Sequence, residues 1–165
     1  MIVVQSTSST WTTFDWWPPV GWWPEAARDL LEHPPGPVAS ATFALPPHAS
    51  SVHSARSFTS GVLAGWGLEG VIETMELVVS ELATNALRHG LSLGSAPPAV
   101  QMSLVRRGAL VTCAFTDPGP KVPVLRYGGP LDVGGLGLHI VDSVSLRWGW
   151  SALSPKGKIV WAVLS

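Results

Sequence analysis

The chain contains one cysteine, Cys113, in 165 residues, so it can form no internal disulfide and no multi-cysteine metal site. Charge is also scarce. Ten Lys and Arg face eleven Asp and Glu, 13% of the residues, for a net charge of −1. That balance provides no electrostatic footprint for nucleic acid or for an anionic membrane surface. No uninterrupted apolar run approaches the ~20 residues a membrane-spanning helix requires. The opening Met1-Ile2-Val3-Val4-Gln5-Ser6 lacks the basic stretch and longer apolar run of a signal peptide, which makes the cytoplasm the default expectation. Apolar residues, by contrast, make up 46% of the chain. Such a composition suits one compact domain, and the length leaves no room for two.

Residues 1–37 stand apart from the rest. They hold five of the nine tryptophans (Trp11, Trp16, Trp17, Trp22, Trp23) and six of the fifteen prolines. Pro18-Pro19 and Pro34-Pro35 forbid a continuous helix or a central strand, leaving only a short helix over 25–33. The plain expectation is a poorly ordered tail. The functional alternative is an aromatic arm that docks on a partner or on a second copy in a homodimer, because clustered tryptophans favour interfaces. Residues 38–165 form the expected folded domain.

Periodicity becomes regular beyond residue 38. Ala41 to Leu45 reads as a short strand ended by Pro46-Pro47. Val52, Ala55, Phe58, Thr59, Val62, Leu63 and Trp66 recur at helical spacing, and residues 71–89 form a second, clearer helix. Acidic Glu69 and Glu73 near its start, with Arg88 and His89 near its end, complement the helix dipole. Val100 to Val105 and Leu110 to Asp117 read as a hairpin across Arg106-Arg107-Gly108. Residues 118–134 are rich in Gly and Pro, with little periodicity, and form a connection long enough to be a lid. A helix over 136–144 and strands over 145–153 and 158–164 complete the chain. This order predicts an α+β two-layer sandwich with helices on one face of a mostly antiparallel mixed sheet.

Three separated segments carry chemistry. Glu81 and Asn85 lie four residues apart on the second helix, so the carboxylate and the amide project from one face. A solvated polar edge is the usual fate of such a pair. Asp117 ends a strand whose residues Val111, Cys113 and Phe115 share its face, and an acid there is costly to bury unless paired. Asp117-Pro118-Gly119 also has the composition of a simple turn. Gly134-Gly135-Leu136-Gly137-Leu138 opens a helix whose first N–H groups have no intrahelical partner, which makes an anion cradle. Together these segments supply a general base or metal ligand, a base-reading acceptor and a phosphate seat. The histidines His48, His53, His89 and His139 lack the spacing of a zinc site. Cys113 is read as a core residue, and Trp66, Trp148, Trp150 and Trp161 as packing residues.

The order and spacing of these segments resemble the N, D and G boxes of the GHKL superfamily, whose members share the Bergerat ATP-binding fold. The stretch from Val78 to Gly90 (Val-Val-Ser-Glu-Leu-Ala-Thr-Asn-Ala-Leu-Arg-His-Gly) is most similar to the anti-sigma regulatory factor serine/threonine kinases of bacteria. The closing Gly157-Lys158-Ile159-Val160-Trp161-Ala162-Val163-Leu164 resembles that branch's last strand. The resemblance covers about residues 40 to 165. It implies ATP and Mg²⁺ as ligands, Asn85 as the Mg²⁺ ligand, and Glu81 as the general base. It places Asp117 on the adenine amine with Gly119 beside the ring, and Gly135, Leu136, Gly137 and Leu138 at the phosphate end of the site.

The resemblance further implies a kinase that phosphorylates an anti-sigma-factor antagonist and sequesters a sigma factor. An ATP-binding interaction module without significant phosphotransfer is the alternative. A histidine kinase fragment fits least, because no His-bearing dimerisation helix precedes the first box. Two positions depart from the pattern. Leu136 stands where the anti-sigma branch commonly has arginine, a loss that Lys121, Arg126 or Lys158 would have to make good. Lys158 and Ile159 stand where a threonine is frequent. Residues 1–37 are expected to be dispensable for nucleotide binding, since all three boxes lie beyond residue 80.

Overall fold

The computed structural model describes residues 16–18, 28, 35–90, 100–119, 123, 136–153 and 157–165. In chain order the elements are β1 (Val38–Leu45), α1 (Ser51–Gly65), a 3-10 turn (Glu69–Val71), α2 (Ile72–Gly90), β2 (Val100–Arg107), β3 (Leu110–Asp117), α3 (Leu136–Val144), β4 (Arg147–Ala152) and β5 (Lys158–Leu164). The strands form one five-stranded sheet in the order β1-β2-β3-β5-β4, and every described pairing is antiparallel. β1 is longer than its sequence pattern suggests, because it pairs along its whole length with β2, from Val38 opposite Arg107 to Leu45 opposite Val100. The β2–β3 loop is shorter than expected: Arg107 pairs with Leu110, leaving Gly108 and Ala109 to turn the chain.

Alternation sorts the sheet into two faces. Val100, Met102, Leu104, Val111, Cys113, Phe115, Val160, Ala162 and Leu164 point to the helices and form the main core with them. From α2, Met75, Val78, Val79, Leu82, Ala83, Ala86 and Leu87 are buried, a stripe at the 3, 4, 7, 8 spacing of one helix face. α1 contributes Ala55 and Leu63 to the same core. It ends where Gly67 N–H bonds the Ala64 carbonyl and Leu68 N–H bonds that of Leu63, the paired bonds of a Schellman stop. Arg106 reaches from β2 to the Trp66 carbonyl, tying this helix end to the sheet. No helix among the described residues is long and apolar enough to cross a membrane.

The opposite sheet face is covered as well. Trp16 is 6% exposed and packs with Ala114, Ile159, Trp161 and Val163 in a second apolar cluster. Its ring lies 5.5 Å from that of Trp161, tilted by 36°. The Arg107 guanidinium sits 4.5 Å from the Trp17 ring centre, a cation–π contact. Within the stretch 1–37, expected as a tail, Trp16 and Trp17 thus pack on the domain. A proline-broken segment needs no periodicity to dock two large rings on a flat apolar surface. Arg28, the described residue of the expected 25–33 helix, is helical. The remainder of that expectation, and most of 118–134, lies outside the described residues.

Two predictions follow from this packing. Trp16→Ala should lower the unfolding free energy by about 3 kcal/mol, read from chemical denaturation, because it removes an almost fully buried ring. Burial also raises the Cys113 thiol from an ordinary 9.0 to about 12. The native thiol should resist a thiol reagent at pH 8 and react on unfolding. Because the folded state holds this proton more tightly, the contribution of Cys113 to stability should fall as pH rises from about 9 toward 12.

Candidate functional site

α2 presents its core stripe to the sheet, and its polar residues fall on another face. Glu81 and Asn85 are both half-buried there, and Arg88, a turn further on, is exposed. The helix therefore holds the two candidate ligands at a solvent boundary, where a carboxylate and an amide stay accessible without a full desolvation cost. Ser80 and Thr84 hydroxyls donate to the carbonyls of Glu76 and Ser80, so neither competes for that face.

α3 brings the glycine cluster to Glu81. A Cβ built on Gly137 would collide with Glu81 Oε2 and lie 3.1 Å from its carboxyl carbon. Glycine is required at 137 for that approach. The candidate base thus rests against the first turn of the helix whose amino end was read as the phosphate seat. Leu138 and Val141 are buried and hold α3 in place, while Asp142 accepts a 2.8 Å bond from the Trp148 indole. Gly135 lies outside the described residues, and of Leu136 the backbone alone is described.

Asp117 closes β3 on the helix side of the sheet, 3% exposed. Its Oδ1 accepts a 2.7 Å bond from the Gly119 N–H, so the turn and the candidate ligand are one feature. Its Oδ2 lies 3.0 Å from Lys158 Nζ, and that ammonium also donates to the Gly119 carbonyl at 2.9 Å. The paired strands set this arrangement: Asp117 stands directly opposite Lys158 in the β3–β5 ladder. Gly157 makes it possible, with φ at 92° and its Cβ direction only 3.0 Å from the Asp117 carbonyl oxygen.

By sequence, Lys158 is one of three candidates for a substitute phosphate contact. The structure corrects this, since the side chain is committed to Asp117 and Gly119. Lys121 and Arg126 lie outside the described residues. The only sequence signal for the pairing was the cost of an acid in line with three apolar residues. Removing one partner of such a buried pair costs about 3–5 kcal/mol, because the other charge is left unmatched.

The donor chemistry fits Mg²⁺. Asn85 and Glu81 offer hard oxygen donors one turn apart at an accessible edge, and this ion commonly takes one or two protein ligands and completes its shell with water and phosphate. Among the described residues no group of three or more His, Cys, Asp or Glu could hold a metal by itself. The structure thus sets Glu81 against Gly137, with Asn85 one turn further along α2, and separately joins Asp117 to Gly119.

Gly137→Ala should change the unfolding free energy by no more than about 1 kcal/mol, because the helix gains propensity while the Glu81 side chain swings aside. A crystal structure of the variant should show that carboxylate displaced.

No curated protein matches the chain. The family of histidine kinase-like ATPase domains matches residues 45–164, from the end of β1 through β5, and covers all three boxes. With its antiparallel sheet, its helices on one face and its ordered boxes, this chain belongs to the histidine kinase-like ATPase (GHKL) family.

Proposed function

We propose that the chain is a cytoplasmic, ATP-dependent serine/threonine protein kinase of the anti-sigma-factor type. Its substrate is an anti-sigma-factor antagonist, and it also sequesters a sigma factor. The observation that supports this reading is the close approach of the Glu81 carboxylate to Gly137 in the first turn of α3. Asn85 would hold Mg²⁺, which when bound neutralises charge on the phosphates. Glu81 orients the attacking hydroxyl and takes its proton. The hydroxyl oxygen forms a bond to the γ-phosphorus as the bond to the β–γ bridging oxygen breaks, leaving ADP. The first N–H groups of α3 receive the phosphate charge. Asp117 reads the base at the other end.

A second reading, an ATP-binding interaction module without significant phosphotransfer, draws support from the Lys158 contact that Asp117 already carries and from Leu136 in place of the branch's arginine. Both readings expect Mg²⁺-dependent ATP binding by calorimetry, and no heat at millimolar nucleotide would defeat both.

The Glu81 and Asn85 variants separate them. Glu81→Gln should keep ATP affinity and lose phosphotransfer by the roughly 10²–10⁴-fold that a positioned base contributes. Asn85→Ala should instead weaken Mg²⁺-ATP binding itself. Measured with the same antagonist protein, equal transfer by wild type and Glu81→Gln removes Glu81 from the mechanism. ATP binding without transfer by the wild type favours the interaction module.

A further inference from the structure

We infer that β1 is a self-association edge, where a second copy of this chain pairs antiparallel and joins two five-stranded sheets into one. The inference goes beyond the nucleotide chemistry and stands without it. Among the described residues the sheet has two edge strands, β1 and β4. An edge offers backbone N–H and C=O groups to any other strand, and proteins commonly blunt it with charge, proline or a bulge. β4 opens on the exposed Arg147 and contains Gly149. β1 runs Val-Ala-Ser-Ala-Thr-Phe-Ala-Leu, with no charged residue, proline or glycine, and pairs with β2 without a break in register.

The β1–β2 ladder decides which groups point outward. Gly108 N–H donates to the Pro37 carbonyl at 2.9 Å, so 37 and 108 form a hydrogen-bonded pair. By alternation, residues 39, 41, 43 and 45 direct their backbone groups to β2, and Val38, Ser40, Thr42 and Ala44 direct theirs away from it. Val38, Ser40 and Ala44 are exposed, Val38 at 66%. Thr42 is half-buried and has a further contact within the chain.

Outward residues must meet outward residues, and a two-fold axis at Ala41 is the register that engages all three exposed ones. Val38 then stands opposite Ala44 of the second copy, Ser40 opposite Thr42, Ala39 opposite Phe43, and Ala41 opposite itself. Two of these pairs set a larger apolar side chain against a smaller one. A third sets hydroxyl against hydroxyl, groups that both donate and accept. No charge meets its like, so the strand is complementary to itself, as an isologous interface requires. Pro37 before the strand and Pro46-Pro47 after it end the ladder, which closes the pairing as a dimer.

The test is sedimentation equilibrium of the full chain. The wild type should show a monomer–dimer equilibrium with a dissociation constant of roughly micromolar order, and a monomer alone up to millimolar concentration overturns the inference. Ser40→Pro removes an outward N–H and spares the bonds to β2, while Ser40→Lys sets two ammonium groups diagonally across the seam. Each should weaken association by about tenfold or more. If Ser40→Pro does not fold, Ser40→Lys decides. A dimer unchanged by Ser40→Lys assigns association to another surface, such as the tryptophan segment, and overturns the inference.

The register has its own readout. With oxidised glutathione, Ala41→Cys should form a disulfide-linked dimer, because 41 meets 41 in a non-hydrogen-bonded pair with Cα atoms about 4.5 Å apart. Ala44→Cys should not, because the two copies of residue 44 lie about 20 Å apart along the strands. Cys113 is buried and takes no part in the exchange. Equal cross-linking by both variants, or none by Ala41→Cys, overturns the pairing.

Discussion

The rest of the structure is organised around β5, which is buried at every one of its seven positions. A strand in that situation needs an apolar cover on both faces, so its sequence reads as a nearly continuous apolar run rather than an alternation. One cover is the helical layer, above all α2, packed on Val160, Ala162 and Leu164. The other is Trp16, set against Ile159, Trp161 and Val163. Both requirements meet at the start of β5, where Lys158 faces the helical layer and, among the described residues, the Asp117 carboxylate and the Gly119 carbonyl make that burial tolerable.

Much of this was legible in the sequence, for reasons that differ by element. The spans of α3 and β5 follow from local signals: a glycine cluster opening a helix, and a Gly157 start to an apolar run. α2 was legible because a nineteen-residue run of helical periodicity leaves little room for another reading. What the sequence could not show were relations across the fold. The pairing of Asp117 with Lys158 depends on the β3–β5 register, which hydrophobic pattern alone constrains only to within a face. The contact of Glu81 with Gly137 depends on how α3 packs on α2. The seat of Trp16 on β5 could not be read locally, because a docked aromatic ring has no period to detect and the neighbouring prolines break any pattern.

The two ends of the candidate site rest on different physics. At the α2–α3 end, Glu81 and Asn85 are partly exposed, so their polar atoms are within reach of solvent. At the β3–β5 end, Asp117 is buried, and its charge is already matched within the protein. The first end suits chemistry, in which groups must change state. The second suits recognition, in which a fixed arrangement of donors and acceptors is an advantage.

α2 divides its labour by face: Met75, Val78, Val79, Leu82, Ala83, Ala86 and Leu87 hold the core, while Glu81 and Asn85 sit on the polar side. A substitution on that polar side leaves the apolar stripe intact, so the fold tolerates exchange there far more readily than on the core face. On the proposed reading of Glu81, a single exchange could silence the chemistry while the chain stays folded.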